Sequence, residues 1–246
     1  MPTGKYLIAD TVVEIETGFN YTHKMCAEYR YTGDMEPELK IHPTEAELIS
    51  EREIYLRTQA AEGHPDAYAG DNLIEFTVTH GHLARHILDK DFLLMHGSTI
   101  AVDGQAYLFT ARSGTGKSTH TALWMKAFGK RAEMVNGDKP FLKIEDNAVI
   151  AYGSPWNGKE GLGANIRRPL KAICVLERDT YNHISLMDSD AAAPMLIQQT
   201  FRPDDVSGSI RSLGLVAKMT EIIPVYRLGC NMDPEAATIA YNGMNQ

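Results

Sequence analysis

The chain has 246 residues, of which 43% are apolar and 23% charged, a composition that suits a soluble globular protein with one large core or two small ones. Its net charge of −8 lacks the surplus of Lys and Arg that general nucleic-acid binding requires, while leaving room for an anion in a local basic pocket. Three scattered cysteines argue against a disulfide framework or zinc site, no apolar run reaches the length of a membrane span, and the N-terminus does not read as a signal peptide, so the expected compartment is the cytoplasm.

In chain order, residues 5–16 and 25–31 read as strands, with a short strand at Leu39–His42. A helix follows from about Pro43 to Arg57, with Thr44 as N-cap and Glu47 completing a capping box. Apolar residues at helical spacing predict a second helix over 71–89. Two apolar runs, 92–101 and 106–111, flank an Asp103-Gly104 turn and predict a hairpin. Short strands are expected at 132–135, 140–144, 148–152, 170–176 and 222–228, and a helical stretch over 186–219 broken near Pro203. Hairpins outnumber strand–helix–strand units, which predicts an α/β (α+β mixed) fold with mixed, hairpin-rich sheets. Two parts are expected, an N-terminal α+β segment over 1–90 and a site-bearing core over 91–246, unless they form one continuous domain.

The strand ending at Ala111 runs into Ser113-Gly114-Thr115-Gly116-Lys117-Ser118-Thr119 and then a helix. Strand, glycine-rich loop and helix N-terminus are what a phosphate-binding loop needs, because consecutive backbone N–H groups converge on phosphate there. Ser113 through Thr119 are the nucleotide-binding candidates. Lys117 is positioned for the β- and γ-phosphates and Ser118 for Mg²⁺. Ala111 stands where the G-x-x-x-x-G-K-[ST] pattern has its first glycine. It falls at the strand end, far from phosphate, where the smallest side chain is tolerable.

Three further segments accompany the loop. Asp138, in Asn136-Gly137-Asp138-Lys139, is an acid at a strand end, suited to a metal or to an attacking hydroxyl. His96, in His96-Gly97, is either a satisfied structural histidine or a contact for the γ-phosphate or the acid. The loop Gly153–Asn165 and the residues after it carry Lys159, Arg167 and Arg168, either as a solvated surface or as cations for a transferring phosphoryl group. His82 and His86 form an i, i+4 pair at zinc spacing, but Gly81 intervenes and no Glu follows His82, so a structural role is expected.

Taken together, His96-Gly97-Ser98, the hairpin, Ala111 through Thr119 and Asn136-Gly137-Asp138-Lys139 resemble the HPr kinase/phosphorylase and phosphoenolpyruvate carboxykinase superfamily, above all its small bacterial HPr-kinase-like members. The resemblance is specific over about 92–142 and looser over 153–176. It implies a P-loop kinase-like core that binds ATP through Ser113–Thr119, Mg²⁺ held by Ser118 and Asp138, and His96 at the active site. The expected activity is transfer of the γ-phosphate to a hydroxyl of a protein, peptide or small molecule, with Asp138, His96, Lys117, Lys159 and Arg168 as the catalytic set. Nucleic acid and membrane are not expected partners, and homo-oligomerisation is left open. HPr kinases carry an Asp-Asp pair where this chain has Gly137-Asp138. Either Asp138 then combines metal and base roles, or another acid such as Glu160 serves, or the protein is a nucleotide-binding regulator or an ATPase without acceptor.

Overall fold

The computed structural model describes residues 1–61 and 63–246, which divide into two units, Met1–Ile87 and Leu88–Gln246. In the first, β1 (Thr3–Ile8) and β2 (Thr11–Glu16) form an antiparallel hairpin, with β3 (Leu39–Ile41) parallel to β2. The strand expected over 5–16 is thus two strands. The turn is made by Ala9 and Asp10 at φ 48° and 54°, without the Asn-Gly or Asp-Gly pair that would mark it in sequence. The strand expected over 25–31 is also absent. In its place stand α1 (Tyr21–Met25) and a 3₁₀ turn over Ala27–Tyr29. Buried Cys26 and Tyr29 lie three apart, a helical rather than an alternating period.

Helices α2 (Glu45–Ala61) and α3 (Asp71–Leu88) complete the first unit. The capping box forms as expected, with Thr44 N–H donating to Glu47 Oε2 at 2.8 Å and Glu47 N–H to Thr44 Oγ1 at 3.4 Å. His82 pairs with Glu47 at 2.7 Å. Among the described residues no three His, Cys, Asp or Glu side chains cluster as a metal site.

The second unit is built on one mixed sheet. Its strands are β4 (Phe92–Leu94), β5 (Ser98–Val102), β6 (Gln105–Thr110), β7 (Ala132–Asn136), β8 (Phe141–Ile144), β9 (Val149–Tyr152), β10 (Arg167–Arg178), β11 (His183–Leu186) and β12 (Val225–Cys230). The spatial order is β4-β8-β9-β10-β6-β5-β7, and β12 pairs with both β10 and β11. Only β6–β10 and β10–β12 are parallel. The helices are α4 (Lys117–Phe128), α5 (Ser189–Gln198), α6 (Val206–Ile222) and α7 (Glu235–Met244). β11 and α7 were not expected from sequence, although Asp233-Pro234 ahead of an Ala-rich segment is a helix-start signal.

Side chains of the central strands explain the layering. On β6, Ala106 and Leu108 join the core beneath α5 and α6, while Tyr107 and Phe109 join the core beneath α4 and α7. β10 alternates likewise, with Ile173 and Val175 on one side and Ala172, Cys174 and Leu176 on the other. A strand covered on both faces reads as one continuous apolar run. Trp124 of α4 is fully buried against Tyr107, Phe109, Phe128 and Tyr241. This packing sets the start of α4 directly beyond the end of β6.

Candidate functional site

Strand directions assemble the site. β6 and β10 run parallel, and β5 is antiparallel to both β6 and β7. The C-terminal ends of β6, β7 and β10 therefore share one sheet edge with the start of β5. At that edge lie the loop after Thr110, the Asn136-Gly137-Asp138 segment and His96-Gly97, segments up to forty or so positions apart in the chain.

The loop takes the backbone its glycines allow. Gly114 and Gly116 have φ of 74° and 119°, the region that side-chain-bearing residues avoid. Gly116 then caps α4, so the first free N–H groups of a twelve-residue helix face the loop. Ala111 is buried in the apolar cluster under α4, and its carbonyl accepts from Lys117 Nζ at 3.3 Å. Its methyl group contributes to the core and leaves the cradle clear. Arg178, at the end of β10, buttresses the loop from outside, with Nη2 donating to the Gly114 carbonyl at 2.6 Å. Sequence reasoning missed Arg178, because only the parallel β6–β10 pairing brings it to the loop.

The acidic side is held as tightly. Asn136 Oδ1 accepts from the N–H groups of Asp138 and Lys139 at 2.9 and 2.6 Å, an Asx turn that the Asn-Gly-Asp sequence signals. Buried Asn136 is held in turn by Ser154 Oγ at 3.0 Å. Ser98 Oγ donates to the Gly137 carbonyl at 2.6 Å, and Gly97 N–H to the Asp138 carbonyl at 2.9 Å. His96 is latched by its own backbone: its N–H donates to Gln199 O at 2.7 Å and its carbonyl accepts from Thr110 Oγ1 at 2.8 Å.

These contacts bring His96 Nε2 to 3.2 Å from Asp138 Oδ1 and Lys139 Nζ to 2.9 Å from Oδ2. Burial opposes the Asp138 charge. The His96 hydrogen bond and the charge of Lys139 outweigh it, so the carboxyl sits well below the usual carboxylate range. Such a carboxylate is a good hydrogen-bond acceptor and cation partner but a weak proton sink.

A cavity of about 480 Å³ opens between the two sides. Of the residues singled out in the sequence, Ser113, Gly114, Gly116, Lys117, Ser118, Thr119, His96, Asp138, Lys159 and Glu160 all border it. Thr115 faces away, into cavities on the outer side of the loop. Arg168 does not border it; its Nε pairs with Glu133 at 2.5 Å. Arg167 donates to Tyr152 OH at 3.3 Å. Both arginines lie at the start of β10, the end of that strand away from the loop.

The backbone around Gly137 leaves no room for a side chain beside Asp138. A Cβ there would lie 2.7 Å from the Asn157 carbonyl and 3.0 Å from that of Leu162. The 153–165 loop packs its backbone on this residue, anchored by the Asn136–Gly163 bridge and the bond from Ala164 N–H to Val135 O. Ser118 and Asp138 border one cavity, and a single carboxylate with a hydroxyl, completed by phosphate oxygens and water, is the sparse donor set that Mg²⁺ takes.

No family model matches the sequence, and no curated protein matches it. Among solved structures, the HPr(Ser) kinase/phosphatase from Coxiella burnetii matches with a TM-score of 0.36 and 12% identity, covering 61% of this chain and 88% of that chain. At that level of likeness the functional reading rests on this chain's own residues.

Proposed function

We propose that the protein is an ATP- and Mg²⁺-dependent kinase that transfers the γ-phosphate to a hydroxyl. The observation that carries the reading is the facing of Lys117 and Ser118 against Asp138, His96 and Lys159 across one cavity. Nucleotide phosphates would lie along Ser113–Thr119, with Lys117 compensating β- and γ-phosphate charge. Mg²⁺, held by Ser118 and Asp138, would neutralise charge on the phosphates. Asp138 accepts the hydrogen bond of the acceptor hydroxyl and orients it toward phosphorus. A new oxygen–phosphorus bond forms as the bridging bond to the β-phosphate breaks, its electron pair leaving on ADP, and the hydroxyl proton passes late to Asp138 and on to solvent, which suits a carboxylate of low basicity. Lys159, which borders the same cavity, would compensate equatorial charge on the transferring group. The acceptor class is a serine or threonine of a protein or peptide, or a small-molecule alcohol.

The test is transfer from γ-labelled ATP. Wild type is expected to label a hydroxyl acceptor, Asp138→Asn to bind ATP while labelling less than 1% as much by order of magnitude, and Lys117→Ala to lose binding. Wild type that binds ATP–Mg²⁺ and releases only free phosphate would sink the kinase reading in favour of an ATPase. Binding without any turnover would favour a regulatory nucleotide binder, the reading that the missing acid at Gly137 motivates.

A further inference from the structure

Lys139 follows Asp138 directly, and neighbours along an extended chain point their side chains to opposite faces. The turn at Asn136 reverses that rule. Lys139 N–H donates to Asn136 Oδ1 at 2.6 Å, and Ser154 Oγ donates to the Lys139 carbonyl at 2.7 Å. Asn136 and Ser154 are both fully buried and bonded to each other, Nδ2 to Oγ at 3.0 Å. Pro140 further biases Lys139 toward extended backbone. With both of its peptide groups pinned, Lys139 folds its ammonium back onto the preceding residue, Nζ to Asp138 Oδ2 at 2.9 Å.

The pair is sheltered. Its side chains are 32% and 31% exposed, whereas those of the Lys218–Asp146 pair are 40% and 97% exposed, so solvent screens the Lys139 charge less. Asp138 borders the cavity and Lys139 does not, which places the ammonium behind the carboxylate. His96 Nε2 meets the other carboxylate oxygen at 3.2 Å. At the cavity wall, Lys117 and Lys159 balance Asp138 and Glu160, and Lys139 adds the charge that tips the site positive. A divalent cation entering alone is attracted by Asp138 and repelled by the ammonium just behind it, so the two effects largely offset each other. Polyphosphate oxygens reverse that balance by bringing several negative charges of their own.

We propose that Lys139 is a positioning residue that makes metal binding conditional on nucleotide: its ammonium orients the Asp138 carboxylate and offsets its charge, so a divalent cation enters only together with phosphate. The inference rests on the reading above that Ser118 and Asp138 hold Mg²⁺, and adds the residue that keeps the chain from capturing the ion by itself. Lys139 acts through Asp138 and not on the reacting atoms. An ion pair that served structure alone would change stability on removal and leave metal affinity where it was.

The test is titration of the full chain, free of nucleotide, with Mn²⁺, a paramagnetic substitute for Mg²⁺ whose free ion is counted by its electron spin resonance signal. Lys139→Met keeps the length and removes the charge, and is expected to bind Mn²⁺ at least about tenfold more tightly than wild type. Lys139→Arg keeps the charge and should stay within about twofold of wild type. Asp138→Asn added to Lys139→Met should erase the gain. Unchanged or weaker Mn²⁺ affinity in Lys139→Met, or a gain that survives Asp138→Asn, would overturn the proposal. Lys139 belongs to neither apolar core cluster, and Lys139→Gln is read in the same way should the methionine variant not fold. Calorimetry with Mn²⁺–ATP separates the two levels of the reading. Wild type that binds no Mn²⁺–ATP fails the nucleotide reading, and this inference with it. Wild type that binds Mn²⁺–ATP, while Lys139→Met gains nothing for Mn²⁺ alone, fails this inference only.

Discussion

Replacing Gly137 tests whether a second acid can be accommodated beside Asp138. An added Cβ would meet the carbonyl oxygens of Asn157 and Leu162 at 2.7 and 3.0 Å. Neither atom can rotate away, since both belong to backbone, and the loop that carries them is tied to β7 at Val135 and Asn136. Overpacking of this kind costs about 1–3 kcal/mol. At a urea slope of about 2 kcal/mol per molar, Gly137→Ala should lower the unfolding midpoint by roughly 0.5–1.5 M. Gly137→Asp should cost more, because its carboxylate would be forced among carbonyl oxygens and beside Asp138. The matched control is Gly214→Ala on α6, where an added Cβ meets nothing within 4 Å. The same chemical change there should stabilise by about 0.5–1 kcal/mol, from helix propensity alone. Equilibrium unfolding and ATP titration of the three variants decide the matter. A Gly137→Ala protein with the wild-type midpoint, or a Gly137→Asp protein that transfers phosphate faster, would refute the steric account.

Other outcomes follow from the same geometry. Arg178→Ala should weaken ATP binding by about tenfold with little change in the unfolding midpoint, because it frees the loop and removes no core contact. Trp124→Ala should lower stability by about 3–5 kcal/mol, as expected of a fully buried ring between sheet and α7. His120, with its pKa lowered to about 4, takes up its proton later than in the unfolded chain, whose value is near 6.5. Stability should therefore fall between about pH 6.5 and 4 and level off below, by about 3 kcal/mol relative to a His120→Gln variant in urea titrations. Asp138 is an acid with a lowered pKa, so its contribution is present above about pH 4 and is lost only on stronger acidification; an Asp138→Asn variant should lack that acid-side loss.

Local chemistry accounts for what could be read before folding. The Asp103-Gly104 turn, the Thr44–Glu47 box and the glycine spacing of 114 and 116 act within a few residues, so their signals are complete in the chain. The same holds for Asn136, whose side chain bonds only two and three residues on. Where signals were weak the reading failed: Ala9-Asp10 turns without glycine, and Cys26 and Tyr29 share a buried face at a helical spacing.

Residue types and their local spacing determined that this chain has a glycine-rich loop between strand and helix, an acid-bearing turn and a mixed sheet. Tertiary structure alone decided that His96 pairs with Asp138, that Arg178 braces the loop while Arg168 pairs with Glu133 elsewhere, and that backbone carbonyls crowd Gly137. The reason is strand order. Pairing β5 between β6 and β7, and β10 beside β6, converges side chains from four separate segments, and no spacing along the chain encodes which edge they will share.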